Sequence, residues 1–513
     1  MLLLIGFYGF YAAPKWIHYR YTTWDALRDA INARHLLEGG EILADPVFAG
    51  CQSWYPPTHA AILAALSKLL NADLIQTYAL SAAAFNGLAI AAFYVLAYRC
   101  SGRNPHAAFL ATLSLSALPW FVTYVLLSPT VMAHATVLSI IFMAFYVFHI
   151  ESESKNIITL FGLGAGLMGL FHPPTFLILT GALFLHGCLR IQLDSFRKKT
   201  IINAVWLFLI ALLVSSPYWI SNVLQPAQNT EPVRYTAPAL YHLEFVLPGK
   251  SVLRSIPLLL PAFWGILLAY KRRRESLYGF LLSLFLVSLA GQVPVYYLAF
   301  MKTYQPGVYM TLSEYIPILV PHEFQMYSQI CASLFFAIGS AGIFSLQRRA
   351  LRWCLSGLVI FAAGASLFAC LKEIPEHSKL FLWPYREQIE WKGAVRYIRE
   401  NTSVHETICS PNDSTSFFVV GVQTGRKCLA TFPSHANTRA DLESRQIIRD
   451  EILYRADQHE ILQAADQFSI QYLLCSRKIN NPQRLVRFRE WFPVLYDDEI
   501  VSIFRVTPKE PEN

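Results

Sequence analysis

The chain has 513 residues, of which 54% are hydrophobic and 14% aromatic, whereas only 15% are charged. Soluble domains carry about 25% charged residues, so this composition excludes an ordinary soluble protein. The formal net charge of +8 would suit a nucleic-acid-binding protein. However, the Lys and Arg residues cluster in short loops between apolar runs, a pattern that sets membrane topology. The composition therefore indicates a polytopic helical membrane protein with no nucleic-acid partner.

Apolar runs recur over residues 1–371 and predict about eleven membrane-spanning helices. The first run offers about 13 apolar residues, or roughly 20 Å of helix, against a hydrocarbon core of about 30 Å. This helix therefore either continues through Trp16 and Tyr19 or starts upstream, and no basic segment typical of a signal peptide precedes it. The predicted spans are 2–14, 76–98, 106–123, 129–149, 157–171, 173–189, 201–221, 253–270, 277–298, 325–345 and 351–371.

Along the chain, predicted loops rich in Lys and Arg alternate with predicted loops that hold few of them. By the positive-inside rule, the loops rich in Lys and Arg face the cytoplasm. The N-terminus is then inside, whereas the loop after the first span and the C-terminal region lie outside. No eukaryotic retention signal is visible, so we expect an integral protein of the bacterial inner (plasma) membrane. The basic loops hold Arg99 and Arg103; Lys155; Arg190, Arg197, Lys198 and Lys199; Lys271 to Arg274; and Arg348, Arg349 and Arg352.

The composition changes near Lys372, where charge becomes dense and apolar runs become short. We expect a transmembrane domain at 1–371, with a first external loop at 15–75, and a soluble extracytoplasmic α/β domain at 372–513. In that domain the pattern predicts helices at Tyr385–Glu400, Arg439–Tyr454 and Gln458–Phe468. The predicted strands are Thr407–Cys409, Phe417–Val420, Cys428–Thr431 and Gln471–Cys475, followed by a hairpin of Val494–Tyr496 and Ile500–Val506.

Carboxylates follow the first predicted span directly. Asp25 and Asp29 are four residues apart, with Arg28 between them, so on a helix the two acids share one face. A carboxylate at the mouth of a membrane cavity can act as a general base, because partial desolvation raises its pKa. The alternative is an amphipathic surface helix whose acids are solvated. The position directly after the first span makes Asp25 the preferred candidate.

A Tyr55-Pro56-Pro57-Thr58 step precedes an apolar helix that begins near His59. Paired prolines hold an extended entry, and Pro is tolerated in the first turn of a helix. The broad apolar stripe that follows is typical of a helix lying in the membrane interface. A Pro-initiated helix with no further role would explain this geometry equally well.

Together, Asp25 after the first span, the Tyr55-Pro56-Pro57 step, about eleven spans and an external C-terminal region resemble the GT-C superfamily of glycosyltransferases. The similarity is greatest to the dolichyl- or undecaprenyl-phosphate-sugar-dependent enzymes related to protein O-mannosyltransferases and lipid A aminoarabinose transferase. It implies a polyprenyl-phosphate-linked sugar donor, inversion at the anomeric carbon and Asp25 as general base. Where protein O-mannosyltransferases have an adjacent Asp-Glu pair, this chain has Asp25-Ala26. The acceptor, whether a glycan, a lipid or a protein, therefore stays open.

Further candidates for donor or acceptor contacts are Arg28, Asp29, Tyr55 and His59 of the first external loop. Three more lie on the same predicted face. His172 precedes two prolines at the outer end of a span, and His322 and Glu323 open another. His172 is equally explained by a local turn. External cations could neutralise the departing phosphate, Arg more effectively than Lys, although each could instead anchor to lipid head groups. A divalent cation, Mg²⁺ or Mn²⁺, could share this task with Asp25 and Glu323 as ligands. The external cations are Arg234, Lys250, Arg254 and Lys302.

Two other classes of function remain open. A transporter or flippase of a lipid-linked saccharide should carry ionisable residues in mid-span. The interiors of the predicted spans are instead almost free of charge, with Asn86, Asn203 and Gln292 as polar exceptions. A non-catalytic membrane scaffold is the third class, since the C-terminal region has no phosphate loop or nucleophile elbow.

Overall fold

The structure is a computed structural model, and its described residues fall into two compact units. The described residues of the helical unit lie within 80–221 and 234–379. The described residues of the mixed unit lie within 15–79, 222–233 and 380–513. We predicted a domain boundary at 371/372. The mixed unit contains residues from both sides of that boundary. The described residues are 24–53, 55–118, 121, 125–126, 130–152, 154–193, 197–224, 250–293, 321–377, 391–432, 437 and 440–507.

Twelve α-helices occupy the described part of 24–377. Local capping explains where some begin: the Asn104 side chain accepts hydrogen bonds from the first-turn amides of one helix, and Thr130 caps another. The helices are α1 (Trp24–Leu37), α2 (Thr58–Leu70), α3 (Leu74–Cys100), α4 (Pro105–Leu115), α5 (Val131–His149), α6 (Lys155–Phe171), α7 (Pro173–Leu193), α8 (Arg197–Leu224), α9 (Lys250–Lys271), α10 (Ser276–Ala290), α11 (Pro321–Phe344) and α12 (Arg349–His377).

Helices occur at ten of the eleven predicted spans, and the run 2–14 lies outside the described residues. Of the described helices, five are long and apolar enough to cross a membrane by length and composition. A largely helical membrane protein is therefore confirmed, whereas the number of spans stays a prediction. The five are Gln76–Cys100, Val131–His149, Pro173–Ile191, Lys199–Ile220 and Glu323–Phe344.

In the helical unit, α9 and α11 approach each other through paired glycines. A Cβ built on Gly265 would lie 1.8 Å from the carbonyl oxygen of Phe335, and one on Gly339 would lie 1.9 Å from that of Pro261. Such distances are far below van der Waals contact, so only glycine fits at either position. Small residues of this kind allow helix backbones to pack closely within a membrane.

The mixed unit contains a five-stranded sheet in the order β2-β1-β3-β5-β4. β1 pairs in parallel with β2 and β3, whereas β5 pairs antiparallel with β3 and β4. The strands are β1 (Thr407–Cys409), β2 (Lys427–Cys428), β3 (Ile470–Ser476), β4 (Val494–Asp497) and β5 (Val501–Arg505). The remaining helices are α13 (Lys392–Asn401), a π-helix (Thr415–Thr424), α14 (Leu442–Tyr454), α15 (Gln458–Phe468) and α16 (Pro482–Trp491).

Most predicted elements of this region are present, but the strand predicted at Phe417–Val420 is wrong. These residues belong to the π-helix, which is buried along Thr415–Val422. A short apolar run that is buried on every side has no periodicity that separates a strand from a helix. The helix α16 was not predicted, and the predicted helix at Tyr385–Glu400 is described only as α13.

Helix α1 is part of the core of the mixed unit. Leu27, Ala30 and Ile31 are each at most 2% exposed and belong to one apolar cluster with the π-helix. Contact is close, because a Cβ on Gly421 would lie 2.9 Å from Ile31 Cδ1. The helix that carries Asp25 is therefore held in place by the C-terminal region.

Candidate functional site

The predicted acids Asp25 and Asp29 both lie on helix α1. Asp25 lies in its first turn and Asp29 one turn later, so the α-helix places the two positions on one face. The Asp25 side chain lies outside the described residues, and its role as base stays a prediction. Asp29 is described, and the residues around it define the site.

Asp29 is a buried carboxylate, 2% exposed, beside an arginine and a histidine. Arg28 donates to its Oδ1 from Nη2 at 3.1 Å and from Nε at 3.3 Å. His59 Nδ1 lies 4.0 Å from its Oδ2. Burial of a carboxylate is costly unless the charge is paired, so this pairing explains how an acid is kept within the core of the unit.

Two tyrosines complete this group. The guanidinium carbon of Arg28 lies 4.3 Å from the ring centroid of Tyr55, a cation–π contact. The ring of Tyr78 meets that of His59 edge-on, with centroids 6.1 Å apart. We call Arg28, Asp29, Tyr55, His59 and Tyr78 the Asp29 cluster. Four of its members were predicted from the sequence; Tyr78 was not.

The Pro56-Pro57 step is what brings Tyr55 and His59 to α1. Pro57 is the N-cap of α2, which begins at Thr58, so Tyr55 stands before the helix and His59 in its first turn. The predicted Pro-initiated helix is confirmed. The cluster therefore joins this step to α1, one helical turn after Asp25 in the sequence.

Asp45 stabilises the loop between α1 and α2. Its Oδ1 accepts from the amides of Val47 and Phe48, both at 2.8 Å, and its Oδ2 accepts from Asn437 Nδ2 at 2.8 Å. The Lys427 ammonium group donates to the Asp45 backbone oxygen. Burial raises the pKa of Asp45 and lowers that of Lys427. The carboxylate oxygens are already hydrogen-bonded within the protein, so Asp45 has a structural role.

His35 is a second buried titratable group of the mixed unit. It is 1% exposed, and its Nδ1 lies 3.3 Å from the Gly425 carbonyl oxygen. Burial, followed by the nearby charge of Lys427, lowers the pKa of His35 to about 4. The imidazole is therefore neutral at physiological pH.

In the helical unit, two predicted candidates come together. His172 ends α6 and Glu323 lies in the first turn of α11. The His172 Nε2 lies 3.5 Å from Glu323 Oε1, and its Nδ1 lies 2.9 Å from Thr175 Oγ1. His172 is 2% and Glu323 6% exposed. The Thr175 contact matches the expected local turn, whereas the pairing with Glu323 adds an interaction between helices.

A tyrosine extends this pair into a polar chain. Tyr327, one turn after Glu323 on α11, donates to Ser139 Oγ at 2.7 Å and lies 3.5 Å from Thr175 Oγ1. Buried polar side chains that satisfy one another favour a single arrangement of the helices that carry them. Sequence inspection missed Ser139 and Tyr327, because single polar residues within apolar runs give no specific signal.

The other predicted contacts lie outside the described residues. This holds for the side chains of His322, Lys250 and Arg254 and for Arg234 and Lys302 entirely. Within the described residues, no group of three His, Cys, Asp or Glu side chains is arranged to hold a metal ion. Glu323 lies beside His172, and its role as a metal ligand together with Asp25 stays a prediction.

No protein-family model matches the chain, and no curated protein matches it in sequence. Solved structures do match. ArnT from Cupriavidus metallidurans in the apo state aligns over 99% of this chain and 98% of its own, with a TM-score of 0.57 and 10% identity. The Archaeoglobus fulgidus oligosaccharyltransferase in the apo form aligns over 91% of this chain and 69% of its own, with a TM-score of 0.55 and 12% identity. Both are GT-C glycosyltransferases.

The chain has the GT-C fold. The predicted resemblance is thereby confirmed at the level of the fold. ArnT has also been solved bound to undecaprenyl phosphate, with a TM-score of 0.57 and 10% identity over 99% of this chain and 98% of its own. The archaeal enzyme AglB has been solved with an inhibitory peptide and a dolichol-phosphate, with a TM-score of 0.52 and 12% identity over 94% of this chain and 68% of its own. Both ligands are polyprenyl phosphates.

Proposed function

We propose that the protein is a membrane glycosyltransferase. It moves a sugar from a polyprenyl-phosphate donor to an acceptor hydroxyl on the extracytoplasmic side, with inversion at the anomeric carbon. Support comes from the GT-C fold, which extends over nearly the whole chain, and from the polyprenyl phosphates bound by both neighbours. The acceptor can be a glycan, a lipid or a protein.

Asp25 is the general base of the proposed reaction. Its carboxylate takes the proton of the acceptor hydroxyl while that oxygen forms a bond to C1 of the sugar. The bond from C1 to the phosphate oxygen breaks on the opposite face, and the electron pair leaves with the polyprenyl phosphate. The position of Asp25 in the first turn of α1, one turn from the buried Asp29 cluster, supports this role.

The Asp29 cluster positions the base without taking part in proton transfer. Asp29 is ion-paired with Arg28 at 3.1 Å and is 2% exposed, which suits a scaffold better than a group exchanging protons with a substrate. External cations, among them Arg234 and Lys302, are the candidates that would stabilise the departing phosphate.

The substitution Asp25→Asn tests this proposal, because it keeps the shape of the side chain and removes the base. The full-length protein is incubated with a panel of undecaprenyl-phosphate-linked sugars and an envelope extract as acceptor source. Release of undecaprenyl phosphate is followed by mass spectrometry. Loss of a general base should lower turnover by about 10²–10⁴-fold. Thermal unfolding should remain unchanged, and the exposed control Asp466→Asn should keep full turnover.

The same assay separates the alternative functions. A flippase would move the lipid-linked saccharide between leaflets without releasing polyprenyl phosphate, and a scaffold would do neither. Wild-type turnover in Asp25→Asn would remove Asp25 from the mechanism. If wild-type protein released no polyprenyl phosphate from any donor of the panel, the transferase proposal would be overturned.

A further inference from the structure

The helical unit contains a polar pocket away from the residues considered so far. It has a volume of about 210 Å³ and is formed by the C-terminal part of α7, the α9–α10 loop and the first turns of α10. The positive-inside rule assigns this end of the helices to the cytoplasm, opposite to the predicted side of sugar transfer. We call it the arginine pocket. Its lining residues are His186, Leu189, Arg190, Arg273, Arg274, Ser276 and Gly279.

The charge of this pocket is strongly positive. Three guanidinium groups line it, and no carboxylate is among the lining residues. The nearby acid Glu275 is already engaged, because Arg272 donates to both of its carboxylate oxygens at 2.7 Å. Across the described residues, no carboxylate lies within 4.0 Å of Arg190, Arg273 or Arg274. Three like charges at one concavity repel one another unless an anion joins them.

Two of these guanidinium groups are fixed in position and retain spare donors. Arg190 donates to the Ile150 carbonyl oxygen at 3.3 Å. Arg273 donates to the Tyr270 carbonyl oxygen at 3.1 Å, and its guanidinium carbon lies 4.3 Å from the centroid of the Tyr270 ring. A guanidinium carries five N–H donors, so most of them stay available for the two-point contact that arginine makes with phosphate.

His186 is a polar side chain at the wall of the pocket. It lines the pocket but is itself only 2% exposed. Its Nδ1 lies 3.0 Å from the Tyr146 hydroxyl, which fixes the ring. Its buried Nε2 lies near the backbone of Ser276 and Gly279, both of which line the pocket. If the Tyr146 hydroxyl donates to Nδ1, then Nε2 carries the proton and the ring is a neutral donor at the wall of the pocket.

The first turn of α10 adds backbone donors at the same place. Its N-cap, Glu275, makes no side-chain cap hydrogen bond, so the first-turn amides are not satisfied by a cap. Amides at a helix N-terminus favour a bound anion. Gly279 leaves room for a ligand beside these amides, because it has no side chain. A Cβ there would lie 3.1 Å from the Arg273 carbonyl oxygen and 3.6 Å from His186 Cδ2.

We propose that the arginine pocket binds a phosphate-type anion, carried either by a lipid phosphomonoester or by free phosphate. Pockets for drug-sized ligands measure about 300–1,000 Å³, so the smaller volume here suits a head group better than a whole saccharide. Arginines, a histidine donor and helix amides together match the several oxygens of a phosphate. This site is separate from the proposed sugar-transfer site, and its test does not depend on turnover.

The test measures binding to the purified full-length protein in phosphatidylcholine nanodiscs. The two probes are inorganic phosphate and dioctanoyl phosphatidic acid, with dioctanoyl phosphatidylcholine as the neutral lipid control. The pocket variant Arg190→Gln/Arg273→Gln/Arg274→Gln is compared with Arg348→Gln/Arg349→Gln/Arg352→Gln. The second triple variant removes the same charge from another basic loop on the same predicted side. His186→Leu removes the neutral donor without changing the number of arginines.

We expect saturable binding to the wild type of at least one phosphate probe. The pocket variant should bind at least tenfold more weakly, His186→Leu at least threefold more weakly, and the control triple variant within twofold of the wild type. Binding of inorganic phosphate alone would assign a soluble anion, whereas binding of phosphatidic acid alone would assign a lipid head group. Should the pocket variant fail to fold, the exposed Arg274→Gln and His186→Leu carry the same comparison. Equal weakening in both triple variants, or no saturable binding by the wild type, would overturn the proposal.

Discussion

The Nε2 atom of His172 lies 3.5 Å from Oε1 of Glu323, and both side chains are buried. His172 ends α6 and Glu323 lies in the first turn of α11. The pair therefore joins two helices that are far apart in the sequence. Each side chain satisfies the buried polar group of the other. A variant that lacks only one of them should therefore lose more stability than a variant that lacks both.

Glu323→Gln and His172→Gln should each lower the thermal midpoint of the detergent-solubilised protein, and their effects should not add. Contacting residues in one network show coupling of about 0.5–3 kcal/mol. The double variant should thus be more stable than the sum of the single losses predicts. The exposed Glu151→Gln serves as control. Strict additivity in the double-mutant cycle would show that the two side chains do not interact.

Asp29→Asn should destabilise the mixed unit, in contrast to Asp25→Asn. The substitution leaves Arg28, whose side chain is 13% exposed, without its carboxylate partner. Breaking a buried ion pair costs about 3–5 kcal/mol. We expect faster amide hydrogen exchange in α1 and reduced turnover as a consequence of lost positioning. Unchanged exchange together with abolished turnover would instead make Asp29 the acid that carries the chemistry.

The stability of the mixed unit should fall on acidification through His35. Its pKa is about 4 in the folded protein against an ordinary 6.5, because burial and Lys427 disfavour the charged ring. The unfolded chain therefore binds more protons between these values. The stabilisation is complete above pH 6.5 and is lost as the pH falls towards 4, with about 2 kcal/mol lost at pH 5.

Hydrogen exchange of the segment 427–432 between pH 7 and 5, corrected for intrinsic rates, measures this loss. The non-titrating His35→Gln should flatten the pH dependence, whereas the exposed His459→Gln should preserve it. An identical slope in His35→Gln and wild type would exclude His35 as the group responsible.

Gly339→Leu should disrupt the helical unit, whereas Gly357→Leu should not. A Cβ at Gly339 would lie 1.9 Å from a backbone oxygen of α9, and one at Gly357 meets nothing within 4 Å. The clash is with a backbone atom, which cannot move aside as the end of a flexible side chain can. Helices α9 and α11 would therefore have to separate. The yield of monodisperse protein and its thermal midpoint should fall sharply in the first variant only. Comparable behaviour of the two variants would mean that the close approach of α9 and α11 is dispensable.

Sequence reasoning succeeded where the evidence is local. Helix α1 and the Pro56-Pro57 step lie within one loop, so the residues that form most of the Asp29 cluster could be named. Sequence reasoning failed where contacts join segments that are distant in the chain. Nothing in the sequence near Asp45 indicates Asn437 or Lys427, and the partner of His172 could not be chosen from spacing. The π-helix was mistaken for a strand because its apolar run lacks a polar face.

The packing of α1 against the π-helix has a consequence for biosynthesis. Residues near Ile31 leave the ribosome long before Gly421, so their shared core cannot close until most of the chain has been translated. Contacts of such large sequence separation form slowly and leave apolar surface exposed in the meantime. The nascent chain must therefore carry α1 without its packing partner until the residues of the π-helix have been made.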